Sequence, residues 1–151
     1  MKHVFLIAGF FLTQVCMAQP SNSVFRAEGV VPEWQTDPVL ATPESVTYDE
    51  NSEVLYVSNI NGGLQEKNGE GYISKISLSG EVLDTQWAAD LHAPKGMALS
   101  GDKLYFTDID VVKAVSLESG QQVARIPVPD AQFLNDLAVT RSGALYATGM
   151  Y

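Results

Sequence analysis

Thiols and positively charged residues are scarce in this sequence of 151 residues, and each scarcity narrows the range of possible functions. Its one cysteine cannot form an internal disulfide, so stability has to come from a packed core or a bound metal. Nine basic residues stand against 18 acidic ones, a formal net charge of −9. Nucleic acid and anionic membrane surfaces are therefore not expected partners, because both attract basic proteins.

Signature motifs of several enzyme classes are also missing. The sequence has no Gly-x-Ser-x-Gly elbow, no phosphate-binding loop, no His-Glu-x-x-His motif and no dinucleotide fingerprint. These absences argue against a serine hydrolase of the elbow type and against a nucleotide-dependent enzyme. Metal-assisted hydrolysis stays open.

The first 18 residues are predicted to be a signal peptide. A positively charged start precedes an apolar run at residues 4–15, and Ala18 before Gln19 is a suitable cleavage point. The run is shorter than the roughly 20 residues that a membrane-spanning helix needs. A lipid anchor at Cys16 is the alternative, but the two residues before it are not small. We expect a secreted or periplasmic protein that has no membrane attachment after cleavage.

The rest of the chain repeats one phrase three times. It occurs as PESVTYDENSEVLYVSNI at residues 43–60, PKGMALSGDKLYFTDI at residues 94–109 and LNDLAVTRSGALYATG at residues 134–149. The second tyrosine of the first copy and the tyrosines of the other two lie 49 and 41 residues apart. A period of about 40–50 residues with several short strands per unit is typical of β-propeller blades.

This pattern predicts an all-β fold, a β-propeller of four-stranded antiparallel blades. Residues 19–42 form a lead-in segment, and blades are expected at residues 43–92, 93–132 and 133–151, the last one incomplete. About two and a half blades are present, whereas propellers close with typically about 4–8. We therefore read the chain as the front part of a longer propeller. Open blade edges are expected to favour self-association.

The starts of the first strands are the candidate site. Glu44, Lys95 and Asn135 each open the first strand of a repeat, so they should converge at one mouth of the central channel. Carboxylate and amide oxygens are hard ligands that suit Ca²⁺, Mg²⁺ or Mn²⁺. The alternatives stay open: Glu44 as a solvated strand-end acid, and Asn135 as a turn residue.

Further polar residues should lie on the same face. Asp136 is expected to accept hydrogen bonds from backbone amides. Lys95 is either a group that holds a substrate anion or a rim charge. Asp108 and Asp110 are either outer acids of the site or members of a solvated turn. His92 is a weak candidate for general acid–base catalysis. The glycine-rich loop at residues 60–71 is expected to be mobile and to overhang the mouth.

Two of the phrases resemble the senescence-marker-protein/gluconolactonase family and the related paraoxonase-type lactonases. The resemblance covers residues 43–151 and depends on Glu44 in the first phrase and on the Asn135–Asp136 pair in FLNDLAVTRSGALYATGM. It implies a six-bladed propeller with one divalent metal at the channel mouth. By resemblance, Glu44 matches a metal ligand, Asn135 an asparagine near metal and substrate with a catalytic role, and Asp136 the acid beside it. The family's other ligands come from later blades.

The resemblance implies an exported metal-dependent hydrolase of lactones or related esters, acting on a small-molecule substrate. Ca²⁺ is the first expectation for the cofactor, with Mg²⁺, Mn²⁺ and Zn²⁺ as alternatives. A propeller similar to NHL-type modules that binds a ligand or a protein without chemistry is the other functional class. A piece with no activity of its own is the third.

Cleavage of the signal peptide is directly testable. Because Ala18 provides the small residue before the cut, the mature protein is expected to begin at Gln19. Intact-mass and N-terminal peptide analysis of the exported protein checks this. An intact Met1 or a lipid on Cys16 would contradict it.

Overall fold

The computed structural model describes residues 30–150 and, nearer the start, the backbone of Phe5–Ala8. These residues form antiparallel β-sheets and contain no helix, which confirms the all-β prediction. Within this part of the chain there is accordingly no helix with the length and apolar character needed to cross a membrane.

The predicted signal peptide and its cleavage point lie outside the described residues, apart from the first strand. That strand, β1 (Phe5–Ala8), pairs antiparallel with β2 (Val31–Gln35). The lead-in continues from β2 to the first repeat. Its Trp34 indole donates a hydrogen bond of 2.8 Å to the Leu78 carbonyl and lies against Gly80. Gly80 has a φ of 87°, and a Cβ there would meet the Trp34 ring, so this turn requires glycine.

The first repeat forms a four-stranded sheet in which each strand pairs with the next along the chain. Its second strand, VLYVSN, was predicted to be buried on both faces because it is apolar nearly throughout, and every residue of it is buried. The tight turn after the third strand is also as predicted. The strands are β3 (Pro43–Asp49), β4 (Val54–Asn59), β5 (Gly71–Ser77) and β6 (Val82–Leu91).

The second repeat forms a sheet of the same order, and the third contributes two strands. The strands are β7 (Pro94–Ser100), β8 (Lys103–Asp108), β9 (Val111–Ser116), β10 (Gln122–Pro127), β11 (Leu134–Val139) and β12 (Leu145–Gly149). Several strand ends differ from the sequence prediction by one or two residues, and two differ by more. β6 continues to Leu91 instead of ending at Trp87, and β11 begins at Leu134 instead of Leu137. In β11, Leu134 and Leu137 both pack in the core across a register shift, which a strict two-residue alternation does not anticipate.

The two four-stranded sheets pack face to face through an aromatic core. Tyr56 and Phe106 are fully buried, and the Tyr56 ring lies 4.5 Å from the Trp87 ring, centroid to centroid. Ile73 and Leu104 complete the centre of this core and are also fully buried. Burial of each such side chain stabilises the fold by about 1.5–3 kcal/mol. The tyrosine of the first repeat thus anchors the contact between repeats.

The first strands of the three sheets lie side by side, because β7 contacts both β3 and β11. Hydroxyl groups connect the sheets: Thr47 Oγ1 donates to the Met97 carbonyl at 3.2 Å, and Thr107 Oγ1 to the Asn135 carbonyl at 2.8 Å. The approach of β7 to β11 is closest at Gly96. A Cβ there would lie 2.5 Å from the Asp136 Cα.

The close approach at Gly96 predicts that Gly96→Ala is destabilising. Two of the three nearest atoms that a methyl group would meet, Asp136 Cα and the Asn135 carbonyl oxygen, belong to the backbone of β11 and cannot swing away. We expect the free energy of unfolding to fall by about 2 kcal/mol, measured by urea denaturation. Gly63→Ala is the matched control, because Gly63 is exposed in a loop and its nearest neighbour is the flexible Glu66 side chain. A loss at Gly96 no larger than at Gly63 would contradict the prediction.

Candidate functional site

A cleft of about 230 Å³ opens where the three first strands begin. Its lining residues are Glu44 and Ser45 from β3, Gly96 from β7, and Asn135 and Asp136 from β11. The structure thus brings together Glu44, Asn135 and Asp136. Glu44 and Asn135 are 91 residues apart in the sequence. Every lining side chain is polar, so the cleft suits a polar ligand.

All three first strands carry a β-bulge at this cleft. In each sheet the pairing of first and second strand slips by one residue, between Pro43 and Ser45, between Pro94 and Met97, and between Leu134 and Leu137. The extra residue lies on the first strand each time. Bulges redirect side chains and are common next to active sites. Here the bulged stretches contain Glu44, Lys95 with Gly96, and Asn135 with Asp136.

A hydroxyl group near the end of each second strand secures the bulges. Ser58 Oγ accepts the Ser45 amide at 3.1 Å, and Thr148 Oγ1 accepts the Asp136 amide at 3.2 Å. Thr107, at the matching place in the second sheet, bonds to the Asn135 carbonyl. The sequence contains a signal for these residues, a fixed distance from the repeated tyrosine. Each hydroxyl residue follows the repeat's tyrosine by two positions, in Tyr-Val-Ser, Tyr-Phe-Thr and Tyr-Ala-Thr.

Glu44 is a carboxylate of the cleft whose pKa is raised above its ordinary value. Partial burial is the main cause that raises its pKa, and the negative charge of Asp136 adds to the effect. The positive charge of Lys95 opposes both without cancelling them. No salt bridge joins Glu44 to a cation among the described residues. Glu44 is therefore a carboxylate whose charge is only partly compensated.

Lys95 is buried, with 1% of its surface exposed, so the expectation of a rim charge is wrong. Its ammonium donates to the Ala93 carbonyl at 3.0 Å and the Leu64 carbonyl at 3.3 Å, and lies 4.5 Å from the centroid of the Phe133 ring. Burial lowers the pKa of Lys95, and the charges of Glu44 and Asp108 act in the opposite direction. The sequence could not show this, because the partners come from separate connections.

Asp108 is fully buried, so the solvated-turn alternative is wrong for it. Its carboxylate accepts the Ala93 amide at 2.8 Å and the His92 amide at 3.2 Å, and pairs with the Lys113 ammonium at 2.7 Å. All of these partners belong to the protein, which makes Asp108 an anchor of the β6–β7 connection. Asp110, in contrast, is partly exposed and pairs with Lys67 at 2.7 Å, a hydrogen bond that lowers the pKa of Asp110.

Two other predicted residues take defined places. His92 does not line the cleft; its Nδ1 accepts the Gly69 amide at 3.1 Å, so it supports the loop after β4. Asp136 Oδ1 accepts the Leu137 amide at 2.8 Å, which confirms the expected bond to a backbone amide. Its other carboxylate oxygen has no hydrogen bond within the described part of the chain. The Asn135 side-chain amide likewise makes none there.

The donor set of the cleft suits a hard cation only in part. Two carboxylates and one amide provide oxygen ligands of the type that Ca²⁺ and Mg²⁺ prefer. Within residues 30–150, however, no three or more His, Cys, Asp or Glu side chains are grouped closely enough to hold a metal ion. The cleft therefore offers part of a coordination shell.

Comparison with known proteins adds no family to this description. No protein-family model matches the sequence, and no functionally characterised protein matches it significantly. The function is therefore inferred from the geometry of the cleft.

The raised pKa of Glu44 predicts how stability depends on pH. The folded state holds the proton of Glu44 more tightly than the unfolded state, whose pKa is near 4.5. Ionised Glu44 therefore destabilises the fold at neutral pH, and this loss disappears as pH falls toward 4.5. We expect Glu44→Gln to be at least as stable as the wild type at pH 7, with the difference narrowing at pH 4.

Urea denaturation at the two pH values measures this. Asp110→Asn is the matched control with the opposite sign, because the pKa of Asp110 is lowered by Lys67. That variant should lose a small part of its stability at pH 7 and none at low pH. A Glu44→Gln variant that is clearly less stable than the wild type at pH 7 would show that Glu44 is held by a favourable ion pair.

Proposed function

We propose that the cleft is the site of a metal-assisted hydrolase that acts on lactones or related esters, on a chain that folds as part of a β-propeller. One observation carries this proposal: three bulged first strands direct Glu44, Asn135 and Asp136 into one polar cleft. The two up-and-down sheets, packed face to face with their first strands adjacent, have the arrangement expected of propeller blades.

Each cleft residue has a chemical role in this proposal. Glu44 and Asn135 would hold a divalent cation, with Ca²⁺ favoured by their oxygen ligands. When bound, such a cation polarises an ester carbonyl and lowers the pKa of water. The Asn135 amide, free of protein partners among the described residues, can orient the polar end of a small substrate.

Hydrolysis also requires the substrate to be held still. The lining residues come from three strands, so a ligand in the cleft would be contacted from β3, β7 and β11 at once. The loop from residue 61 to residue 70 lies at the same end of the sheets, since Leu64 reaches Lys95 and Gln65 reaches the Gln132 carbonyl. A lactone ring is small, uncharged and polar on one edge, which matches a polar cleft of this size.

A second candidate function is a binding site without chemistry, as in NHL-type propellers. The buried Lys95 ammonium favours it, because a positive charge that acts on Glu44 weakens the attraction of Glu44 for a cation. In that case the polar cleft would bind a ligand through hydrogen bonds alone. The two proposals differ in whether a cation binds at Glu44.

Calcium titration by calorimetry separates them. Removing the charge of Glu44 while keeping its shape should weaken calcium binding by about tenfold or more, since a full charge is lost from the site. Glu44→Gln is the test, measured on the purified protein. Glu50→Gln is the control, because Glu50 is an exposed acid in the turn after β3.

Lactone hydrolysis, followed by pH-stat with a simple aliphatic lactone, should fall in parallel with calcium affinity in Glu44→Gln. Asn135→Ala should reduce hydrolysis with a smaller loss of calcium affinity, because an amide contributes less to binding than a carboxylate. Equal calcium affinity in wild type and Glu44→Gln would reject the metal site and favour the binding module.

A further inference from the structure

Lys95 makes contacts that neither of its expected roles required. Its ammonium is shared by three chain segments: the loop after β4 through the Leu64 carbonyl, the β6–β7 connection through the Ala93 carbonyl, and the β10–β11 connection through the Phe133 ring. The first segment lies within the sheet of the first repeat, and the other two join that sheet to the second and the second to the third. A single buried charge therefore joins the surroundings of the site.

Two partly buried hydrogen bonds tie this loop to the rest of the chain: the Lys95 ammonium donates to the Leu64 carbonyl, and the Gly69 amide donates to His92 Nδ1. The Lys95 bond is the one with a charged donor. The Lys67–Asp110 salt bridge lies at the surface, where 52% of the Lys67 side chain is exposed. Exposed ion pairs of this kind stabilise a structure by about 1 kcal/mol or less. The Gln65–Gln132 contact is exposed and long, at 3.5 Å. The Lys95–Leu64 hydrogen bond has a charged donor and is partly shielded from water, so it is expected to be stronger than these exposed contacts.

Phe133 connects Lys95 to the candidate catalytic amide. Phe133 lies two residues before Asn135, and its carbonyl accepts the Met150 amide at 2.9 Å. The following residue, Leu134, is buried in the core and donates its amide to the Ile109 carbonyl at 2.7 Å. The backbone on both sides of the ring is thus fixed, and the contact with Lys95 fixes the ring itself. Phe133 therefore gives Lys95 a contact with the chain segment that leads into Asn135.

We propose that Lys95 is a positioning residue that holds the loop of residues 61–70 and Phe133 in place around the Glu44–Asn135 cleft. In this role it touches neither substrate nor metal. Its buried charge is stabilised by contacts with three chain segments: the Leu64 carbonyl, the Ala93 carbonyl and the Phe133 ring. The inference concerns the same cleft as the proposed function, but its first readout requires no turnover.

Hydrogen–deuterium exchange of the purified protein tests the proposal. Lys95→Met keeps the length of the side chain and removes the donor. Amides of residues 61–70 should exchange about tenfold faster or more, as expected for loss of a buried charge-assisted hydrogen bond. Lys67→Met, which removes the exposed tie of the same loop, should change the rate by less than about threefold. Amides of the fully buried strand β4 report whether each variant is folded.

Phe133→Leu decides the question if Lys95→Met does not fold. It removes the ring from the ammonium and leaves the charge and its two carbonyl partners in place, so faster exchange is expected at residues 133–136 while β4 is unchanged. Unchanged exchange of the loop in folded Lys95→Met, or an increase no larger than in Lys67→Met, would overturn the proposal. Unchanged exchange at residues 133–136 in Phe133→Leu would overturn it as well.

Calcium titration of Lys95→Met provides a readout that a general loss of packing would not produce. Removing a positive charge that acts on Glu44 should leave calcium affinity equal or raise it, although the loop is freed. General loosening of the cleft would lower calcium affinity, and that result would contradict a specific positioning role. If neither wild type nor variant binds calcium, the metal-site proposal fails while the exchange experiment still decides the role of Lys95.

Discussion

The bulge at the start of each first strand is the constraint on which the candidate site depends. A regular ladder would place successive side chains on opposite faces of each sheet, and so would aim neighbouring strand ends in different directions. One extra residue per first strand breaks this alternation at the same level in all three sheets. Ser58 and Thr148 stabilise the slipped backbone by accepting amides that the ladder leaves unpaired. The cleft is therefore built from one local structure, the bulge, which the chain forms three times.

The charged groups inside the molecule also lie toward the end of the sheets where the cleft opens. Lys113 pairs with Asp108, which acts on Lys95, which in turn acts on Glu44, so positive and negative groups alternate from the core toward the cleft. Buried ions cost free energy through desolvation, and each is tolerated only where partners compensate it. Asp108 is fully compensated by Lys113 and two backbone amides. The compensation becomes weaker along the series and is least complete at Glu44.

Sequence reasoning predicted the strands well because their signals are local. Apolar runs such as VLYVSN, turns rich in Gly, Ser and Asp, and the recurring tyrosine define strands and their order without knowledge of the neighbours. Glu44, Asn135 and Asp136 were brought to one cleft as the repeat predicted. Register slips were not predicted, because they depend on how buried leucines such as Leu134 and Leu137 meet the core. The loop expected to be mobile was placed at residues 60–71; in the structure Ile60 is buried, Gly71 belongs to β5, and the residues between them contact Lys95, Asp110 and His92.

The burial of Lys95 and Asp108 was beyond the reach of the sequence for a different reason. Charged residues at strand ends are usually solvated, so one sequence gives no ground for placing them inside. Their partners are carbonyl and amide groups of connections, which carry no side-chain signal. Only the fold brings these groups within hydrogen-bond distance.

Glu44 differs from the buried charged groups near it. Asp108 has Lys113 and two backbone amides as partners, and Lys95 has two carbonyls, whereas Glu44 is an exposed residue of β3. Glu44 has a raised pKa and lacks a direct cation among the described residues, although Lys95 is near enough to act on it. Natural sequences tolerate such local conflicts mainly where function requires them. A carboxylate with a raised pKa, at a bulge found in the sheets of all three repeats, is consistent with the ligand-binding role that we propose for Glu44.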